Sequence, residues 1–163
     1  MGRIKRLKGG LQRLRHFRGH GVHSPFVYSL FRGVFMRREV IPTEDLSLLD
    51  EIAKINLSSR VEVELQNVYT HCGYKSFSID PSEEGAESDF VVVSTSYPTL
   101  DIDPLLTKLR ERGTTVAILI SRKDRERERV CEEIVERHPS TTIRRPNYLL
   151  IFNNHLPKQH FQL

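Results

Sequence analysis

Cysteine is scarce in this chain: among 163 residues only Cys72 and Cys131 carry a thiol. Neither stands beside a second cysteine or a histidine pair at zinc-ligand spacing, so a disulfide framework and a structural zinc site are unsupported and a reducing, cytoplasmic setting is expected. Long apolar runs are lacking too. The N-terminus has bases without an apolar core of signal-peptide length, and no window approaches a membrane span, so neither export nor insertion is expected. The third absence is acid at one end. Up to Arg38 there are ten Lys or Arg and no Asp or Glu, which leaves fifteen bases against all 21 acids in the remainder. A basic arm on an acidic body implies a polyanionic partner or an acidic face of a neighbour.

What is present is globular: 38% hydrophobic and 28% charged residues, in a length that suits one domain plus an appendage. We divide it into a basic helical arm, residues 1–38, and an α/β body, residues 39–163. Ile4, Leu7, Leu11 and Leu14 recur at helical spacing with Lys and Arg around them. Gly9 and Gly10 weaken that helix, and Gly19 to Gly21 break it. Ser24-Pro25 is a helix start, a capping hydroxyl followed by proline where no amide is needed, and its helix runs to about Met36 with Phe26, Val27, Leu30, Phe31, Val34 and Phe35 packed on the body.

Pro42 and Thr43 predict a third helix, with Glu44 and Asp45 in its first turn. RVEVEL at residues 60–65 alternates and reads as an edge strand, with Glu62 and Glu64 facing solvent. KSFSID at residues 75–80 reads as a second strand. Phe90 to Val93 suits a strand buried on both faces of a parallel sheet. Asp103-Pro104 opens a helix that Gly113 stops, with Ile102, Leu105, Leu106 and Leu109 inward. TVAILI at residues 115–120 is a strand. A helix over residues 122–138 buries Val130, Cys131, Ile134, Val135 and His138, and its charge run is a solvated face. The chain closes with a hairpin turning at Arg145-Pro146-Asn147. The expected fold class is α/β, a mostly parallel sheet with helices on both faces and an antiparallel edge or insertion near the end.

Residues 18–28 (RGHGVHSPFVY) resemble the N-terminal motif of a Bacteroidetes-type group of class I S-adenosylmethionine-dependent methyltransferases. Residues 130–139 (VCEEIVERHP) and 148–161 (YLLIFNNHLPKQHF) resemble its C-terminal part. The resemblance implies a Rossmann-like methyltransferase domain, shortened here. In that family the first strand ends in an acidic, glycine-rich turn, because only glycine lets backbone approach the cofactor closely. Glu64 stands at the matching acid, but no glycine follows until Gly73. Asp80 matches the acid that holds the ribose hydroxyls, and the span from there to Phe90 is too short for the family's next helix and strand. Ser94 stands where relatives carry an acidic turn, and Ser121-Arg122-Lys123 where they often carry acids. The cofactor positions Glu64, Asp80 and Ser94 are thus remnants, and no S-adenosylmethionine is expected to bind. Read from the residues alone, Asp80 is a turn or helix cap before Pro81.

His16, His20 and His23 do not make a metal site, since Arg15 and Arg18 repel a cation and no carboxylate is near. The His71-Cys72 adjacency creates no thiolate relay. Arg3, Lys5, Arg6, Lys8, Arg13, Arg15 and Arg18 are the polyanion-binding candidates. The expectation is a non-catalytic binding or scaffold module holding RNA or another polyanion. The alternatives are an active methyltransferase with an unusual cofactor loop, an anionic-membrane binder using the Ile4, Leu7, Leu11 and Leu14 stripe, and a dock for an acidic protein surface.

Overall fold

The computed structural model describes residues 24–82 and 87–163. The whole of the stretch from Met1 to His23, with its candidate bases, apolar stripe and three histidines, lies outside the described residues.

Ser24 caps α1 (Pro25–Leu30), its hydroxyl accepting from the Val27 amide, and the chain continues into a wider π turn, Phe31–Phe35, closed by Met36 N on Phe31 O at 3.1 Å. The helix expected from Pro42 starts later, as α2 (Ser47–Ile52), with a 3-10 turn at Ala53–Ile55. Asp45 is the reason: its carboxylate accepts from the Ser47 amide and hydroxyl, while Thr43 Oγ1 accepts from the Asp45 amide, so these side chains fold the residues before Ser47 into a capping loop.

The RVEVEL run is not a strand. It lies inside α3 (Ser59–Cys72), which Gly73 ends at φ 70° in the left-handed region. Its two-residue alternation sits within a longer helical period: Val61, Leu65, Val68 and Tyr69 form one stripe, each at most 5% exposed. The segment that the resemblance sets against the family's first strand is therefore helix. Glu64, expected in solvent, is buried.

The sheet has six strands: β1 (Phe77–Ile79), β2 (Phe90–Val93), β3 (Thr115–Leu119), β4 (Thr141–Arg145), β5 (Tyr148–Ile151) and β6 (Gln159–Gln162), in the spatial order β1-β2-β3-β5-β4-β6. The first three run parallel, β5 is antiparallel to both β3 and β4, and β6 returns parallel to β4. The fold is α/β with a mixed sheet. The closing hairpin is present, and of the two placements expected for it, edge or insertion, its second strand takes the insertion, between β3 and β4. The edge belongs to β6, which sequence reading missed because its four residues carry a single apolar side chain, Phe161. Between β2 and β3 runs α4 (Ile102–Arg112), beginning earlier than Asp103-Pro104 because a 3-10 turn at Thr99–Asp101 leads into it; α5 (Arg125–Arg137) follows β3.

Alternation along the strands makes two cores. Phe90, Val92, Ala117, Leu119, Ile143, Tyr148 and Leu150 pack with α1, α2 and α3 on one face. Val91, Val93, Val116, Ile118, Leu149 and Ile151 pack with α4 and α5 on the other. Burial on both faces explains the unbroken apolar strands. Among the described residues no helix is long and apolar enough to cross a membrane.

Candidate functional site

Because β1, β2 and β3 are parallel, their carboxyl ends share one edge of the sheet, the place where open α/β sheets bind ligands. Asp80 and Ser94 meet there. Asp80 adopts φ 47°, a left-handed conformation uncommon outside glycine, and this turns its carboxylate toward the residue after β2. Ser94 donates its amide to Asp80 Oδ1 at 2.6 Å and its hydroxyl to Oδ2 at 2.5 Å. Asp80 is thus neither free nor a local cap before Pro81; it clamps the neighbouring strand end.

Arg127, from the first turns of α5, occupies the same edge. Its side chain is fully buried. Nε donates to Leu119 O at 2.7 Å, Nη1 to Tyr97 O at 2.8 Å and Nη2 to Ser94 O. Desolvation pulls its pKa below the ordinary arginine value, opposed by Cys131, Asp124 and Asp80. One planar fork therefore ties the ends of β2 and β3 to the loop that follows β2. The run of charge on this helix had read as a solvated face, and Arg127 departs from it because three carbonyls take its donors.

Glu64 lies elsewhere, between α3 and the hairpin. It accepts from Arg60 Nε at 2.7 Å, Arg145 Nη2 at 2.6 Å, Arg145 Nε at 3.1 Å and the Tyr148 hydroxyl at 2.6 Å. Arg60 also donates to the carbonyls of Phe35 and Arg37, and the Arg145 guanidinium stands 5.0 Å from the Phe35 ring centroid. Burial opposes the Arg145 charge, but the Glu64 hydrogen bond and charge raise its pKa above the ordinary value; burial and then Glu64 push the Tyr148 phenol well up. This is a structural knot with every Glu64 oxygen in use. Of the three sequence-predicted cofactor positions, the structure joins Asp80 with Ser94 and sets Glu64 in a different network.

Burial drives both thiols up to about 11, so neither is a nucleophile at neutral pH. Among the described residues no group of three or more His, Cys, Asp or Glu is placed to hold a metal ion. Four surface clefts lie among the described residues, and none of these four is lined by Asp80 or Ser94. One, of about 390 Å³, lies between α5 and the β4–β5 turn and is rich in arginine. No protein-family model, curated protein or solved structure matches the chain.

Proposed function

We propose that the protein is a non-catalytic module of Rossmann-like, methyltransferase-like build whose methyl-donor position is closed, and that it binds RNA through its basic N-terminal segment. The observation that carries the first half is Arg127. A guanidinium fills the edge where a donor would lie, and the one acid that the resemblance assigns to the ribose is spent on Ser94. S-adenosylmethionine is a sulfonium cation, so a buried arginine beside its position is mismatched in charge as well as in space. These residues do not fit the cofactor, and no methyl transfer is derived for them.

Support for the second half comes from charge. The ten bases up to Arg38 stand without an acid, while the remainder carries an excess of six acids that phosphate repels. RNA is the partner of choice because a linear polyanion engages many bases at once.

The test replaces Arg3, Lys5, Arg6, Lys8, Arg13, Arg15 and Arg18 with glutamine in the full chain and follows single-stranded RNA binding by fluorescence anisotropy across a salt series. In the parent protein the logarithmic affinity falls with logarithmic salt by roughly 0.7 per phosphate contact. The variant loses most of the binding and most of the slope. Equal affinity in the two proteins contradicts the proposal. Anionic vesicles that bind the parent where RNA does not transfer the function to the apolar stripe.

A further inference from the structure

The body is acidic as a whole, yet one of its clefts gathers arginine. Between α5 and the β4–β5 turn, five arginines, Arg122, Arg125, Arg129, Arg144 and Arg145, line a cavity of about 390 Å³. Three acids share its walls, and two are committed. Asp124 caps α5 by accepting from the Arg127 amide at 3.0 Å, and Glu128 places both oxygens 2.7 Å from Arg144 Nη2. Glu132 is exposed on the rim.

The arginines are not all committed. Arg145 is held by Glu64, and Arg129 has only a long contact with Glu133 at 3.7 Å. Arg122 and Arg125 are exposed, and their guanidinium groups have no partner among the described residues. Arg144 is 16% exposed, and while its Nη2 serves Glu128, its Nη1 is buried with no hydrogen-bond partner. A buried donor of a charged group without an acceptor costs free energy, and a small turn of the Arg144 side chain toward an acceptor in the cleft would relieve it.

We propose that this cleft is a phosphate-binding site. The chemistry that fits is a tetrahedral dianion or a phosphodiester, whose several oxygens accept from more than one guanidinium fork at a time; a carboxylate satisfies one fork. The inference goes beyond the RNA reading of the N-terminal segment, because it gives the acidic body its own anion contact. A strand held by that segment would find a second, fixed anchor here.

The experiment is a titration of the isotopically labelled full chain with inorganic phosphate, watching the arginine Nε–H resonances, with acetate as the competing anion and a single-stranded oligonucleotide as the second probe. Phosphate is expected to shift Arg122, Arg125 and Arg144 together, and acetate to shift them weakly. The Arg122→Gln/Arg125→Gln variant touches no packed contact and keeps the fold. It weakens phosphate binding at the cleft about tenfold, an effect of about 1.4 kcal/mol. Unchanged affinity in that variant, equal response to acetate, or shifts spread evenly over exposed arginines such as Arg38 and Arg110 overturns the site. The glutamine variant of the N-terminal bases separates the two proposals. Cleft shifts that survive in it while RNA binding is unaffected sink the N-terminal reading alone; a silent cleft with RNA binding lost sinks this inference alone.

Discussion

Tyr148 donates its hydroxyl to Glu64 across 2.6 Å, joining the closing hairpin to a helix eighty-four positions earlier, with both side chains at most 2% exposed. Arg145 completes the contact from the same hairpin. Removing the carboxylate strands a guanidinium that is only 16% exposed. Glu64→Ala is expected to cost about 3–5 kcal/mol, the range for breaking a buried pair by deleting one partner. Tyr148→Phe costs about 1–2 kcal/mol, since Arg145 still satisfies the oxygen it leaves. Urea unfolding of both variants checks the ranking, and equal costs for the two contradict it.

Much of the scaffold was legible in the sequence, and the misses have a common cause. Phe90–Val93 and Thr115–Leu119 announce themselves by unbroken apolar residues, and Ser24-Pro25 and Gly113 by capping chemistry. RVEVEL misled because six residues are too short a window to separate a period of 2 from one of 3.6; Val68 and Tyr69 downstream carry the helical phase. Glu64 and Arg127 could not be found by pattern at all. A charged residue is read as exposed unless its partner is known, and their partners are supplied by tertiary contact: a hairpin far along the chain for one, three backbone carbonyls for the other.

Arg127→Ala leaves the carbonyls of Leu119, Tyr97 and Ser94 without their donor and a void where the guanidinium lay. The expected loss exceeds about 3 kcal/mol, because each orphaned buried acceptor costs about 1–3 kcal/mol. Arg127→Lys recovers only part of it, since an ammonium point charge does not match a fork spread over three acceptors. Chemical denaturation midpoints measure this. A lysine variant as stable as the parent refutes the fork as the holding device.

Gly33 sits in the π turn with the His71 ring against it: a Cβ there would lie 2.7 Å from His71 Cε1 and 2.8 Å from Nδ1. The ring also holds Ser29 Oγ at 2.7 Å through Nε2. Gly33→Ala displaces the ring and breaks that bond, and a loss of about 1–3 kcal/mol is expected, the usual cost of overpacking. In a His71→Ala background the same change becomes close to neutral. A double-mutant cycle without coupling between the two positions contradicts the contact.

His138 is 7% exposed, and burial, with Arg110 and Lys158 adding repulsion, lowers its pKa below the ordinary value of 6.5; the neighbouring Asn153 side chain opposes them. The fold therefore favours the neutral form of His138, and the unfolded chain binds more protons once the pH drops through the unfolded histidine value. Stability is complete above that value and is lost as pH falls below it, down to the folded pKa. Urea midpoints taken from pH 7.5 to pH 5 fall in the parent, and fall less in His138→Asn. A midpoint independent of pH over that interval contradicts the burial argument.

The closed strand-end edge is the centre of the account, and calorimetry of the purified full chain with S-adenosylmethionine and S-adenosylhomocysteine tests it without any knowledge of a substrate. With Arg127 bound to the carbonyls at the strand ends and Asp80 bound to Ser94, the heat of mixing is expected to show no association tighter than about millimolar, the level left by a few weak contacts. A micromolar dissociation constant for either compound means that the edge opens and that the protein retains a methyl-donor site.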